Sequence, residues 1–191
     1  EEFRIRCRSA LDGLETLLQS LLEISKMETG LIQINKKKLP LMDTVISAVN
    51  CTYPKADEKE IEFVFDYAKE LETCTIMQDK RWLGEAFINV LDNAVKYSPC
   101  GSKIFIRLQK RNDLVRMEIE DQGIGIPQNE YHKIFQRFYR GSSREVREEN
   151  GTGIGLFLSR EIIEKHGGTI MVTSGKKKKG STFVIQLPYV G

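Results

Sequence analysis

Asn89-Val-Leu-Asp-Asn93-Ala-Val-Lys96-Tyr97 is the stretch on which the fold turns. Asn89 and Asn93 are one helical turn apart, Lys96 and Tyr97 occupy the next turn, and Glu85 precedes them by the same step. Leu83, Phe87, Val90, Leu91 and Ala94 fall on the opposite side at helical spacing. Asp79 can cap this segment, so a helix is predicted from about Asp79 to Tyr97, with one polar face and one core face. An asparagine inside a helix costs roughly 0.5 kcal/mol relative to alanine. Two in register therefore point to a task other than helix formation, although a plain solvated face has the same spacing.

Three further blocks follow. Asp121-x-Gly123-x-Gly125-Ile-Pro127 closes the alternating run Val115–Glu120. A carboxylate at a strand end beside a glycine turn can accept an exocyclic amine of the adenine type and reject guanine, though surface turns share this composition. In Phe135-x-x-Phe138-Tyr139-Arg140 the two phenylalanines most simply pack the base of a loop, whereas Arg140 can meet a phosphate bidentately. Residues 141–150 are polar, with no apolar pattern or helix face, so a mobile segment is expected there. Gly151-Thr152-Gly153-Ile-Gly155-Leu156 runs directly into a helix, aiming backbone N–H groups and the positive helix end at an anion. It is not the dinucleotide fingerprint, because Leu156 stands at the final glycine position. Gly175-Lys-Lys-Lys-Lys-Gly180-Ser-Thr182 imitates a phosphate loop but has Ser181 where the lysine is required. It reads as a lysine-tipped hairpin turn.

Around these blocks the expected order is a short strand at about 31–35, then a helix from Leu41 with Met42, Val45, Ile46 and Val49 on one face. Pro54 should bend or end that helix. Strands follow at Ile61–Tyr67, Thr73–Met77, Lys103–Gln109 and Leu114–Glu120, then a helix at Ile154–His166 and a hairpin of Thr169–Ser174 with Thr182–Leu187. This order implies a two-layer α/β sandwich, a mixed sheet with helices on one face. Residues 3–29 read as one long helix before it. Cys7, Leu11, Leu14, Leu18 and Leu21 form its heptad seam, Leu17, Leu22 and Ile24 widen it, and Gly30 closes it. Such a helix either packs on its own domain or forms half of a dimerising hairpin.

The chain has 191 residues, enough for one well-buried domain with an appendage. A hydrophobic fraction of 40% with 29% charged residues is an ordinary globular composition. A net charge of +2 gives no drive toward nucleic acid. No apolar run approaches the ~20 residues of a bilayer span, and Glu1-Glu2-Phe3-Arg4 does not open a signal peptide. Cys7, Cys51, Cys74 and Cys100 are scattered and read as reduced, mostly buried thiols rather than a metal site. A cytoplasmic domain is expected, its parent protein either free or membrane-anchored.

In this order the four blocks resemble the N, G1, F and G2 boxes of the ATP-binding domain of sensor histidine kinases, over roughly residues 31–191. The resemblance implies the Bergerat α/β sandwich, with ATP and Mg²⁺ as cofactors. It makes Asn93 the Mg²⁺ ligand and sets Lys96 on a phosphate. Tyr97 would flank the base or ribose, with Asp121 on the adenine amine and Gly123 and Gly125 letting the backbone approach the ring. Tyr139, Arg140, Gly151, Thr152, Gly153, Gly155 and Leu156 complete the implied ATP-binding set, 141–150 becomes the ATP lid, and Thr182 backs Asp121. Asn89 and Arg140 are the implied catalytic residues. Related hydrolytic ATPases carry a glutamate at the position of Asn89, and an amide cannot act as that base, which favours phosphoryl transfer.

Leu22–Gly30 resembles the second helix of the dimerisation and phosphotransfer hairpin, which divides the chain into 1–30 and 31–191. The family's acceptor histidine lies on the first helix of that hairpin. This chain has only His132, beside the F box, and His166, at a helix end where a cation is favoured. Both are expected to be structural. The implied partners are therefore a histidine-bearing dimerisation helix and a response-regulator receiver domain, with a homodimer in the full-length protein and a monomer as the alternative for this piece. A nucleotide-binding scaffold and an anti-sigma-factor type serine kinase are the rival readings.

Overall fold

The computed structural model describes residues 33–149, 151–175 and 180–189, with Leu11, Leu18 and Ser25. Those three are helical, and both leucines are exposed. The rest of the predicted helix over 3–29, its closing Gly30 and the four lysines of the hairpin tip lie outside the described residues. A short strand β1 (Lys37–Pro40) leads into α1 (Leu41–Glu58), then β2 (Glu62–Tyr67), β3 (Thr75–Gln78) and α2 (Lys80–Tyr97). β4 (Lys103–Arg111) and β5 (Leu114–Glu120) precede a one-turn helix α3 (Arg144–Glu148), α4 (Gly155–Lys165), β6 (Thr169–Ser174) and β7 (Ser181–Pro188).

The main sheet has the order β2-β4-β5-β7-β6. β2 runs parallel to β4 and every other neighbour is antiparallel, so the sheet is mixed as expected. Strand alternation then sets the core. Ile104, Ile106 and Leu108 of β4, Val115, Met117 and Ile119 of β5, and Phe183, Ile185 and Leu187 of β7 point to the helix side and are buried. The other face carries long charged side chains, including the pairs Arg107–Glu120, Arg116–Glu118 and Lys103–Glu62.

α2 is the central helix of the second layer. Asp79 caps it by accepting from the Trp82 N–H at 3.3 Å. Leu83, Phe87, Val90, Leu91 and Ala94 are all buried, which leaves Asn89 and Asn93 on the opposite, half-buried face. Ser159 of α4 donates to the Ala86 carbonyl at 3.2 Å, tying the two helices side by side. His166 closes α4. It is buried, donates from Nδ1 to the Ile162 carbonyl at 2.7 Å and accepts the Asp79 N–H on Nε2 at 3.0 Å. Burial holds its pKa below the usual histidine value, so desolvation outweighs the helix-end preference for a cation. The structural role expected of it stands, as a neutral imidazole.

Several sequence expectations are corrected. The first described strand is Lys37–Pro40, fixed by antiparallel pairing with β3 and by buried Gln78, whose amide donates to the Leu39 and Pro40 carbonyls at 3.2 and 3.0 Å. Of the strand expected at about 31–35, residues 33–35 are not in a strand and the rest lies outside the described residues. Pro54 does not end α1, which continues to Glu58. Pro54 and Asn50, whose carbonyl the proline leaves without its helical partner, both lie on the exposed side where water serves instead. Ile46, expected in the core face of α1, is 46% exposed. Of the described cysteines only Cys74 is buried, and Cys51 and Cys100 are exposed free thiols.

α1 ends on a tight reversal. Ile61 N–H returns to the Ala56 carbonyl at 2.8 Å, and Glu60 takes φ +55° to allow it. An L side chain in the left-handed region costs roughly 1–2 kcal/mol. Glu60→Gly is therefore expected to stabilise the chain by about 0.5–1 kcal/mol after the extra chain entropy of glycine. Urea unfolding at unchanged m-value checks this, and an unchanged midpoint contradicts the strain.

Candidate functional site

A cavity of about 740 Å³ opens between α2, the turn after β5, the 139–149 segment and the start of α4. Asn89, Asn93, Lys96 and Tyr97 form its α2 wall. Asp121 and Gly125 bound one end, and Tyr139 with Arg140 the lid side. Gly151, Thr152, Gly153, Gly155 and Leu156 complete the rim. The sequence-predicted residues thus converge from four separate segments, except Gly123 and Thr182, which lie behind the wall. Glu85 is exposed and takes no part.

The α2 wall and the glycine run touch directly. A β-carbon on Gly155 would sit 2.9 Å from Asn89 Oδ1, and one on Gly151 would sit 3.2 Å from Lys96 Nζ. The N-terminus of α4 therefore faces Asn89, and Lys96 spans to the other end of the run. The Lys96 ammonium lies over the Tyr97 ring at 5.1 Å. Its pKa is lowered, first by burial and then by Arg140 against the opposing pull of Glu149, and burial raises the Tyr97 phenol. A partly desolvated ammonium at one end of a glycine run whose other end is a helix N-terminus makes a site that gains by receiving an anion.

At the other end Asp121 is buried. Its Oδ1 accepts the Gly123 N–H at 2.8 Å and the Ser181 N–H at 3.1 Å. Burial raises its pKa, the two backbone bonds pull it back, and neighbouring Glu120 adds to the rise. Both bonds use Oδ1, and among the described residues no donor meets Oδ2. A ligand donor there would relieve the charge. Two glycines allow this geometry. A β-carbon on Gly123 would lie 2.4 Å from the Tyr97 carbonyl oxygen, and one on Gly180, at φ +74°, would lie 2.0 Å from the Asp121 carbonyl oxygen. Thr182 is buried beside Asp121, and its hydroxyl has no hydrogen-bond partner among the described residues.

The F-block phenylalanines separate. Phe135 is buried and meets Phe183 edge-on at 6.4 Å, whereas Phe138 is 55% exposed with φ +61°. Only Phe135 packs the loop base, since the left-handed turn at Phe138 swings its ring to the surface and hands Tyr139 to the cavity. Arg140 donates to the Val146 and Glu149 carbonyls. The stretch that looked unpatterned therefore holds the short helix α3, with Ser143 as its cap accepting the Val146 N–H at 3.3 Å.

Residues that sequence reasoning missed also line the cavity. Glu130 is buried and accepts the Ser142 N–H at 3.3 Å and the Ser142 hydroxyl, and its carboxylate, after burial, helps to raise the Tyr139 phenol pKa. Ser181 had been noted only for failing the phosphate-loop pattern. Lys55 of α1 and Lys59 just after it carry no signal in the sequence, and Asp92, paired with Lys55 at 2.7 Å, is hidden inside the N block. Among the described residues no cluster of three His, Cys, Asp or Glu side chains could hold a metal alone.

Residues 78–191 match the sequence family described as histidine kinase-, DNA gyrase B- and HSP90-like ATPases. The chain is 31% identical over 175 residues to the sensor histidine kinase WalK of Bacillus subtilis, covering 91% of this chain and 28% of that protein. It is 30% identical over 172 residues to the circadian input-output histidine kinase CikA of Synechococcus elongatus, covering 90% of this chain and 23% of that one. It thus spans about a quarter of these curated relatives. The solved structure of the mycobacterial sensor histidine kinase MprB superposes with a TM-score of 0.70 at 28% identity, over 81% of this chain and 97% of that chain.

Asp121→Ala removes a buried charged acceptor from the cavity. A loss of roughly 1.5–3 kcal/mol is expected for an ATP analogue, about 10- to 100-fold in affinity. Calorimetry on the folded variant measures it, and unchanged affinity rejects Asp121 as the base contact.

Proposed function

The chain belongs to the histidine kinase-, DNA gyrase B- and HSP90-like ATPase family, and from that membership we propose that it is the catalytic module of a sensor histidine kinase, moving the γ-phosphoryl of Mg²⁺-ATP to a histidine on a dimerisation helix. The observation that carries the transfer reading is Asn89. It meets the start of α4 with an amide where a hydrolytic relative would hold a carboxylate, so water near the terminal phosphate has no base there. Asp121 takes the adenine amine, Tyr97 flanks the ribose, and Lys96, Arg140 and the N–H groups at the start of α4 take the phosphates. Mg²⁺ fits a site with one neutral oxygen ligand, Asn93, because the nucleotide brings the charged oxygens itself. When bound, the metal neutralises phosphate charge. The chain's own residues hold the nucleotide in line for an acceptor.

That acceptor lies on a dimerisation helix, in cis or on a separate partner. His166 is buried and engaged at both ring nitrogens, and His132 is exposed on the outer side of the F block. A histidine-bearing helix, supplied with residues 1–30 as the second helix of a homodimeric hairpin, would receive the phosphoryl group and pass it to a response regulator. Among the described residues no helix is long and apolar enough to cross a membrane.

Asn93→Ala should weaken Mg²⁺-dependent ATP binding far more than adenosine binding, because only the triphosphate carries the metal. Equal weakening would make Asn93 a fold residue. The unmodified chain should be a poor autokinase, and addition of a histidine-bearing dimerisation helix should yield acid-labile phosphate on that helix. Strong phosphohistidine at His132 or His166 would refute a helix-borne acceptor, and labelled serine would favour the serine kinase reading.

A further inference from the structure

α2 stops at Tyr97, directly on the cavity, because Ser98 leaves the helix and Pro99 follows. The last turn of any helix leaves carbonyls without partners. Here three of the terminal carbonyls converge on a single side chain from another element. Lys59, the residue after α1, donates from Nζ to the Val95, Lys96 and Ser98 carbonyls at 3.0, 2.8 and 3.0 Å. Its own carbonyl accepts the Gly101 N–H at 2.9 Å, so the same residue clamps both sides of the turn that leaves α2. The Tyr97 carbonyl, the one skipped by Lys59, is packed against Gly123 of the turn behind Asp121.

We propose that Lys59 is a positioning residue for nucleotide binding, one that sets Lys96 and Tyr97 on the cavity wall by tying down the last turn of α2. It rests on the ATP-binding reading above and adds to it a residue from outside the four sequence blocks. An ammonium has three N–H donors, and all three are spent on carbonyls. Lys59 therefore reaches the cavity wall without a donor left for a phosphate, which separates it from Lys96. Its charge lies where a helix C-terminus favours a cation. Without it, three carbonyls of the last turn lose their partners on a partly buried surface, and that turn frays. Fraying displaces Lys96 and Tyr97 together and loosens the seat of the Gly123 turn.

The test measures Mg²⁺-ATP affinity of the whole chain, unchanged and as Lys59→Met, Lys96→Met and the double variant, alongside thermal unfolding without nucleotide. Lys59→Met is expected to stay folded and lose about tenfold in affinity. The double variant should lose clearly less than the product of the two single losses, because Lys59 acts through Lys96. Lys59→Arg keeps the charge and several donors, and should recover part of the affinity. A folded Lys59→Met with unchanged affinity makes Lys59 a structural cap only and overturns the proposal, as do fully multiplicative losses. If Lys59→Met does not fold, Lys59→Gln takes its place under the same criteria. Failure of the unchanged chain to bind Mg²⁺-ATP would instead reject the nucleotide reading, and this inference with it.

Discussion

One helix must satisfy two demands at once. α2 buries Leu83, Phe87, Val90, Leu91 and Ala94 in the core and turns Asn89, Asn93 and Lys96 into the cavity. At 3.6 residues per turn both sets keep their registers only if the helix neither kinks nor slides. Its ends are fixed accordingly. Asp79 caps the first turn and is itself held by His166, while Lys59 gathers the carbonyls of the last. The apolar face supplies most of the free energy, and the polar end contacts set where along the axis the amides fall. A shift of one residue would rotate both asparagines by about 100° and bury polar groups against the sheet.

The buried end of the cavity works by a different constraint. A carboxylate taken out of water resists ionisation unless donors are fixed around it. Asp121 has two, both backbone N–H groups, one from its own turn and one from β7. Backbone donors cannot rotate away, so the carboxylate is oriented before any ligand arrives. That orientation requires β5 and β7 in register, Glu120 opposite Thr182, and glycine at 123 and 180, where side chains would strike carbonyl oxygens. Sheet pairing and the orientation of this carboxylate are in this sense one piece of geometry.

What could be read from sequence follows from which features are local. The α2 face, the strand ending at Asp121 and the glycine run entering α4 are periodic or contiguous, and each appears in the cavity wall where its pattern implied. What could not be read depends on contacts distant in sequence. Lys59 and Val95 are 36 positions apart, and Ser181 meets Asp121 across 60. Glu130 looks like a surface residue in a polar run, yet the left-handed turn at Phe138 folds Tyr139 and Ser142 back over it. Pro54 misled for the opposite reason, since a strong local signal was neutralised by the helix face on which it fell.

The lid segment shows how such polar contacts could serve the proposed transfer. Arg140 donates to the carbonyls of Val146 in α3 and of Glu149 just after it, and Glu130 holds Ser142 at the root. A guanidinium prefers a charged phosphate to a neutral carbonyl by roughly a factor of two in bond strength. Under the proposed function a triphosphate would compete for Arg140 directly, while the bonds of Ser142 to buried Glu130 would have no reason to break. The root would stay fixed and the tip would be released. Residues 139–149 would then rearrange about the Glu130 contact, since none of the described side chains of 141–146 is buried.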